Sequence, residues 1–155
     1  MREIYTYCEE DTQKLGEEIG KMAWSGMIIL LKGDLGTGKT VLTRGIARGL
    51  GIEEPITSPT YTLMHQYYGR LSLYHFDIYR LSQPEELYDL DYEEFFYGQG
   101  VTVVEWPERM EDLGPDEYLS ITIEKKLDHG RDERIIRIIP MGEIYEKLEK
   151  DLINI

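Results

Sequence analysis

Positions 33 to 40 read GDLGTGKT, and this stretch carries the chain's clearest chemistry. Gly33, Gly38, Lys39 and Thr40 match G-x-x-x-x-G-K-[ST] without a gap. Glycines let the backbone curl so that successive N–H groups point inward at phosphate oxygens. A helix starting at Lys39 would add its positive N-terminal dipole. Lys39 is then expected to reach the β- and γ-phosphates, and the Thr40 hydroxyl to ligate Mg²⁺. Gly33, Asp34, Leu35, Gly36, Thr37, Gly38, Lys39, Thr40 and Val41 together form the expected nucleotide cradle.

A magnesium-bound phosphate also needs an acid, usually at the end of a neighbouring strand. Asp77 follows the run LSLYHF and Glu105 follows VTVV. Ligands of open α/β sheets bind at such carboxyl ends. From the residues alone, either acid could hold metal or orient water. TSPTYT, at 57 to 62, occupies the place of a γ-phosphate-sensing switch loop. It offers the hydroxyls of Thr57, Ser58 and Thr60, stiffened by Pro59. Arg131, Arg134 and Arg137 form the one close arginine set. A solvated strand face is its simpler reading, with Arg131 or Arg134 as candidates to touch the nucleotide.

The elements that must position these groups follow from periodicity. MIILL, 27 to 31, is a continuous apolar run suited to a central strand covered on both faces. Val41, Leu42, Ile46, Ala47 and Leu50 form one stripe of a helix from Lys39 to about Leu50, ended by Gly49 and Gly51. REIYTY reads as a short strand. A helix through about Trp24 follows, with Asp11 or Thr12 as N-cap. YTLMHQYY and LSLYHFDIYRL read as strands with a turn at Gly69-Arg70. PEELYDLDYEEFF opens with a proline suited to a first helical turn. VTVVE is another buried strand. EYLSITIEKKL and RIIRIIP read as an antiparallel pair joined around Asp128-His129-Gly130, and GEIYEKLEKDLINI as a closing helix. The predicted fold is α/β, a P-loop NTPase-like three-layer fold with a mixed, mainly parallel central sheet and helices on both faces.

The 155 residues predict one domain, 1–155. Hydrophobic residues make up 41% and charged residues 30%, which excludes a disordered chain. The net charge of −13 opposes broad contact with nucleic acid or anionic lipid, since both are polyanions. The single cysteine, Cys8, cannot form an internal disulfide or a Cys-rich metal site. The N-terminus carries acids where a signal peptide needs apolar residues. MIILL is far short of a membrane span. A cytoplasmic protein without membrane partners is expected.

GDLGTGKT, TRGIARGLG, SPTYTL, YHFDIYRL and VEWPE occur in that order from about Thr12 to Glu108. This arrangement closely resembles the TsaE (YjeE) family of small bacterial P-loop ATPases. The resemblance implies a Mg²⁺-dependent ATPase, weak alone and stimulated by partners. Its task would be to support TsaD and its paralogue TsaB in forming N6-threonylcarbamoyladenosine at position 37 of tRNAs that read codons starting with A. The implied cofactors are ATP and Mg²⁺, and tRNA would be met only through the complex. The implied catalytic residues are Asp77, as a catalytic or water-positioning acid, and Glu105, which also joins Thr40 at the metal. Trp106 is implied to border the nucleotide or a partner, and Thr12 to lie near the adenine.

Three rivals fit the residues less well. A small-molecule kinase shares the loop but needs a second pocket and an arginine-bearing lid. A GTPase needs an Asn-Lys-x-Asp loop, and the one asparagine is Asn154. An RNA-binding module could stack bases on some of the 12 tyrosines, but most fall in strand patterns where packing is the simpler role.

Overall fold

The computed structural model describes residues 1–34, 36–59, 63–126 and 132–152. Among them, strands β1 (Arg2–Thr6), β2 (Ile28–Lys32), β3 (Met64–Tyr67), β4 (Leu73–Asp77), β5 (Val101–Glu105), β6 (Tyr118–Lys125) and β7 (Arg134–Met141) form one sheet. Its order is β1-β7-β6-β2-β5-β4-β3. β6, β2, β5 and β4 run parallel at the centre. β3 joins β4, and β7 joins β6 and β1, by antiparallel pairing. The expected mixed, mainly parallel sheet is present.

The central strands are apolar because both of their faces are covered. Alternate residues of β2 serve opposite layers. Ile29 and Leu31 join one buried cluster with α1 (Glu9–Met22) and α2 (Lys39–Gly49). Ile28 and Leu30 join a second, with the 3₁₀ segments Pro84–Leu90 and Pro107–Leu113 and helix α3 (Tyr92–Phe96). Leu15, Ile19, Leu42 and Ile46 are fully buried between α1, α2 and the sheet. Burying a side chain of this size stabilises by roughly 1.5–3 kcal/mol. α4 (Glu143–Asp151) adds Tyr145 and Leu148 to the first cluster. The Tyr145 hydroxyl accepts from the Ile28 N–H at 2.9 Å, and its ring packs edge-on against Trp24.

α1 and α2 approach closely enough for backbone contact. A Cβ built on Gly45 would lie 2.2 Å from the Gln13 carbonyl oxygen, and one on Gly16 would lie 2.4 Å from that of Leu42. Only glycine fits there, so the loop-bearing helix is fixed against its neighbour.

Two local expectations are corrected. α1 starts at Glu9 with Cys8 in the cap position, so neither Asp11 nor Thr12 is the N-cap. Asp11 instead accepts from the Tyr7 N–H at 3.0 Å, and Thr12 turns its hydroxyl to that of Thr6 at 2.8 Å. PEELYDLDYEEFF is not one helix, because Asp91 adopts a left-handed backbone (φ 50°) between the 3₁₀ turn and α3. The turn expected around Asp128-His129-Gly130 lies outside the described residues. No helix among the described residues is long and apolar enough to cross a membrane.

Candidate functional site

Gly33 follows directly on β2, and α2 begins at Lys39. The loop's curl is carried by glycines with positive φ, 78° at Gly36 and 109° at Gly38. These are conformations that a side chain would strain. Thr37 closes the turn, its N–H and its hydroxyl both donating to the Asp34 carbonyl at 3.3 and 2.9 Å. These bonds brace the loop at the N-terminus of α2, where the helix dipole is positive.

A cleft of about 440 Å³ opens at this loop. That falls within the range of small-molecule sites. Gly36, Thr37, Gly38, Lys39, Thr40 and Val41 form one wall. Thr12 from α1, Ser58, Asp77, Glu105 and Trp106 complete it, together with Glu9, Asp132 and Arg134. Gly33 and Asp34 line an adjoining depression shared with Trp106 and Glu108. Leu35, Thr60 and Arg131 lie outside the described residues.

Sheet register explains why the acids meet. Asp77 and Glu105 are direct partners on β4 and β5, and Glu105 is the partner of Leu31 on β2. All three lie at the carboxyl ends of parallel strands, beside the start of the loop. Asp77 is half-buried, and its Oδ1 accepts from the Tyr79 N–H at 3.2 Å. Loss of water around it pushes its pKa above the usual carboxylate value. The Tyr79 N–H opposes that shift and the charge of Glu105 adds to it. Glu105 is only 3% exposed, and its Oε2 accepts from Nε2 of the fully buried His75 at 2.5 Å.

Lys39 is 6% exposed, and desolvation lowers its pKa, opposed first by Glu105 and then by Asp77. Its ammonium donates to the Gly33 carbonyl at 2.6 Å and stands 3.9 Å from the centroid of the Trp106 ring. Trp106 itself has a left-handed backbone (φ 62°). Such a conformation costs a non-glycine residue roughly 1–3 kcal/mol and clusters at functional sites. Its ring leans on Tyr79 at 4.8 Å between centroids.

Arg134 corrects the expectation of a solvated strand face. It lines the cleft, and its Nε donates to the Thr37 carbonyl at 2.6 Å. Arg137 does point outward, paired with Glu3 at 2.8 Å and Glu124 at 2.7 Å. Arg80 is exposed and is not among the cleft's lining residues. Ser58 reaches the site with its hydroxyl 3.2 Å from that of Thr40, while Thr57 is held at Tyr67.

The donor set suits magnesium carried in with a nucleotide. Among the described residues, no three or more His, Cys, Asp or Glu form a group that could hold a metal ion. Mg²⁺ commonly uses one or two protein oxygens plus substrate phosphates and water, without a protein cage. The cleft sets Lys39 and Arg134 against Glu9, Asp77, Glu105 and Asp132. A polyphosphate beside Asp77 and Glu105 would need a divalent cation to offset the repulsion.

Loop, flanking strand and helix, and parallel sheet define the class: a P-loop NTPase-like, three-layer α/β protein. Comparison with known proteins narrows it. The family model described as "Threonylcarbamoyl adenosine biosynthesis protein TsaE" matches residues 6–135. The TsaE protein of Bacillus subtilis, strain 168, is 42% identical over 148 residues, covering 95% of this chain and 90% of its own. That of Treponema pallidum is 42% identical over 123 residues, covering 79% of this chain and 91% of its own. Both carry the description tRNA threonylcarbamoyladenosine biosynthesis protein. The crystal structure of Bacillus subtilis YdiB superposes with a TM-score of 0.81 at 38% identity, over 97% of this chain and 93% of that one. The chain belongs to the TsaE family, which is involved in tRNA threonylcarbamoyladenosine biosynthesis.

Proposed function

We propose that this protein is a Mg²⁺-dependent ATPase whose turnover supports the TsaB–TsaD pair in forming N6-threonylcarbamoyladenosine at position 37 of tRNAs reading codons that start with A. The observation that carries the reading is the Lys39 ammonium. It is buried at the loop, held by a carbonyl and an indole face, and set opposite Asp77 and Glu105 in a nucleotide-sized cleft. Membership of the TsaE family supplies the pathway.

In this reading the loop N–H groups and Lys39 bind the phosphates. Thr40 and Glu105 would hold Mg²⁺, and Asp77 would orient the attacking water. Mg²⁺, when bound, supplies charge neutralisation on the phosphate oxygens. Trp106 and Thr12 border the nucleotide, and Arg134 steadies the loop from β7. Among the described residues, Lys39 and Arg134 are the basic side chains lining the cleft, and turnover alone is slow in this reading. A cation supplied by a partner at the transition state contributes a factor of about 10³–10⁵ in related chemistry. The negative net charge makes contact with tRNA a matter for the complex, in the cytoplasm.

The test is ATP turnover by the purified protein with and without TsaB and TsaD, repeated for Glu105→Ala and Asp77→Ala. Stimulation that both variants lose is the expected result. Wild-type stimulated turnover in both variants would remove the site from this cleft. Full turnover without partners would remove the accessory role, and phosphoryl transfer to a small acceptor would make the protein a kinase.

A further inference from the structure

His75 is fully buried, lines no part of the cleft, and yet touches one of its two candidate catalytic acids. Its partner on β5 is Val103, so Glu105 lies diagonally across, two residues on. Diagonal neighbours are within reach of long side chains on the same face. A carboxylate oxygen only accepts, so Nε2 carries the proton and donates at 2.5 Å. Nδ1 is equally buried and has no hydrogen-bond partner among the described residues. A buried imidazole chosen for packing alone would gain nothing from that orphaned nitrogen, and an apolar side chain would fill the space without it. Among the described residues, the hydrogen bond to Glu105 is the contact that accounts for a histidine here.

We infer that His75 is a positioning residue for magnesium: it fixes the rotamer of Glu105 by holding Oε2, so that the carboxylate is presented to the Mg²⁺-nucleotide in one orientation. The inference rests on the reading of Thr40 and Glu105 as the metal-holding pair. His75 cannot meet the nucleotide itself. It acts through Glu105, as partners behind a metal ligand commonly do. Loss of such partners typically costs about 10–100-fold in metal affinity or activity.

Calorimetric titration of the full-length protein with ATP, once with Mg²⁺ and once with EDTA, separates the metal-dependent part of binding from the rest. His75→Asn places its amide short of Glu105, whereas the Nε2 of His75→Gln falls close to the imidazole Nε2. His75→Asn is expected to reduce the Mg²⁺-dependent gain in ATP affinity about 10–100-fold. Affinity in EDTA should stay unchanged, and His75→Gln should recover most of the gain. A core residue would lower thermal stability and leave the Mg²⁺ gain intact, or lower both affinities together. Either outcome overturns the proposal. If His75→Asn does not fold, His75→Gln is set against Glu105→Gln, and equal loss of the Mg²⁺ gain in both overturns it. Wild-type protein that binds ATP without any Mg²⁺ gain overturns the metal-holding role of Glu105 and this inference with it. Wild-type protein that binds no ATP overturns the ATPase reading as a whole.

Discussion

The Lys39 ammonium sits 3.9 Å from the centroid of the Trp106 indole ring and 2.6 Å from the Gly33 carbonyl oxygen. Both contacts occupy the charge that the proposed nucleotide would claim. A cation–π contact contributes about 0.5–2 kcal/mol. A phosphate offers a full negative charge and outcompetes it. ATP binding is therefore expected to draw Lys39 off the indole and change Trp106 emission. Trp24, packed against Tyr145 away from the cleft, should not respond. Trp106→Phe should abolish the signal. Lys39→Ala should weaken ATP binding about 10–100-fold, since a hydrogen bond to a charged group contributes about 1.5–3 kcal/mol. Unchanged emission at saturating ATP would contradict the contact's role.

Arg134 reaches the loop from the other side of the site. Its Nε donates to the Thr37 carbonyl at 2.6 Å, tying β7 to the cradle. Arg134→Ala should weaken ATP binding about tenfold or more, on the same scale for charge-assisted bonds. Arg134→Lys should recover little, because an ammonium lacks the planar guanidinium fork. Titration of labelled ATP against the three proteins decides this.

The loop depends on the α1–α2 contact as well. Gly45→Ala would improve helix propensity by about 0.8–1.0 kcal/mol. The new Cβ would lie 2.2 Å from the Gln13 carbonyl oxygen and 2.9 Å from Gly16 Cα, both backbone atoms. Overpacking of this kind costs about 1–3 kcal/mol, and here neither helix can yield by turning a side chain. A backbone contact at 2.2 Å falls at the upper end of that range and outweighs the propensity gain, so a net loss of about 1–2 kcal/mol and a Tm drop of about 2–8 °C are expected by thermal unfolding. A variant as stable as wild type would mean that the helices can separate.

The sequence made the site legible where type and spacing coincide. The contiguous loop, the apolar β2, and acids ending two apolar strands mark the cleft by residue type alone. Other features depend on long-range pairing. His75 looks like one more residue of an alternating strand, and only the β4–β5 register brings it to Glu105. Arg134 reads as a strand charge, because nothing local says that β7 begins beside the loop. Asp11 and Thr12 are good caps by type. The helix start is instead decided by the chain leaving β1, where Thr6 takes up the Thr12 hydroxyl and Tyr7 takes up the Asp11 carboxylate.

Asp77 gives the pH dependence its sign. Half-burial raises its pKa above 3.8, the Tyr79 N–H lowers it, and Glu105 raises it again. An acid with a raised folded-state pKa holds its proton more tightly folded than unfolded. Unfolding therefore releases a proton between pH 3.8 and the raised value. Stability falls as pH climbs through that window, and the cost is fully present above the raised value. Asp77→Asn removes the charge while its side-chain oxygen still accepts from the Tyr79 N–H, 3.2 Å away in the wild type. The variant should melt above wild type at neutral pH, with the difference shrinking as pH falls toward 3.8. It should also lower ATP turnover, since a neutral amide oxygen holds the attacking water less strongly than a carboxylate does. Thermal melts across a pH series, paired with turnover, check both halves. A variant less stable than wild type at neutral pH would show that the Asp77 carboxylate is retained for the fold rather than for chemistry.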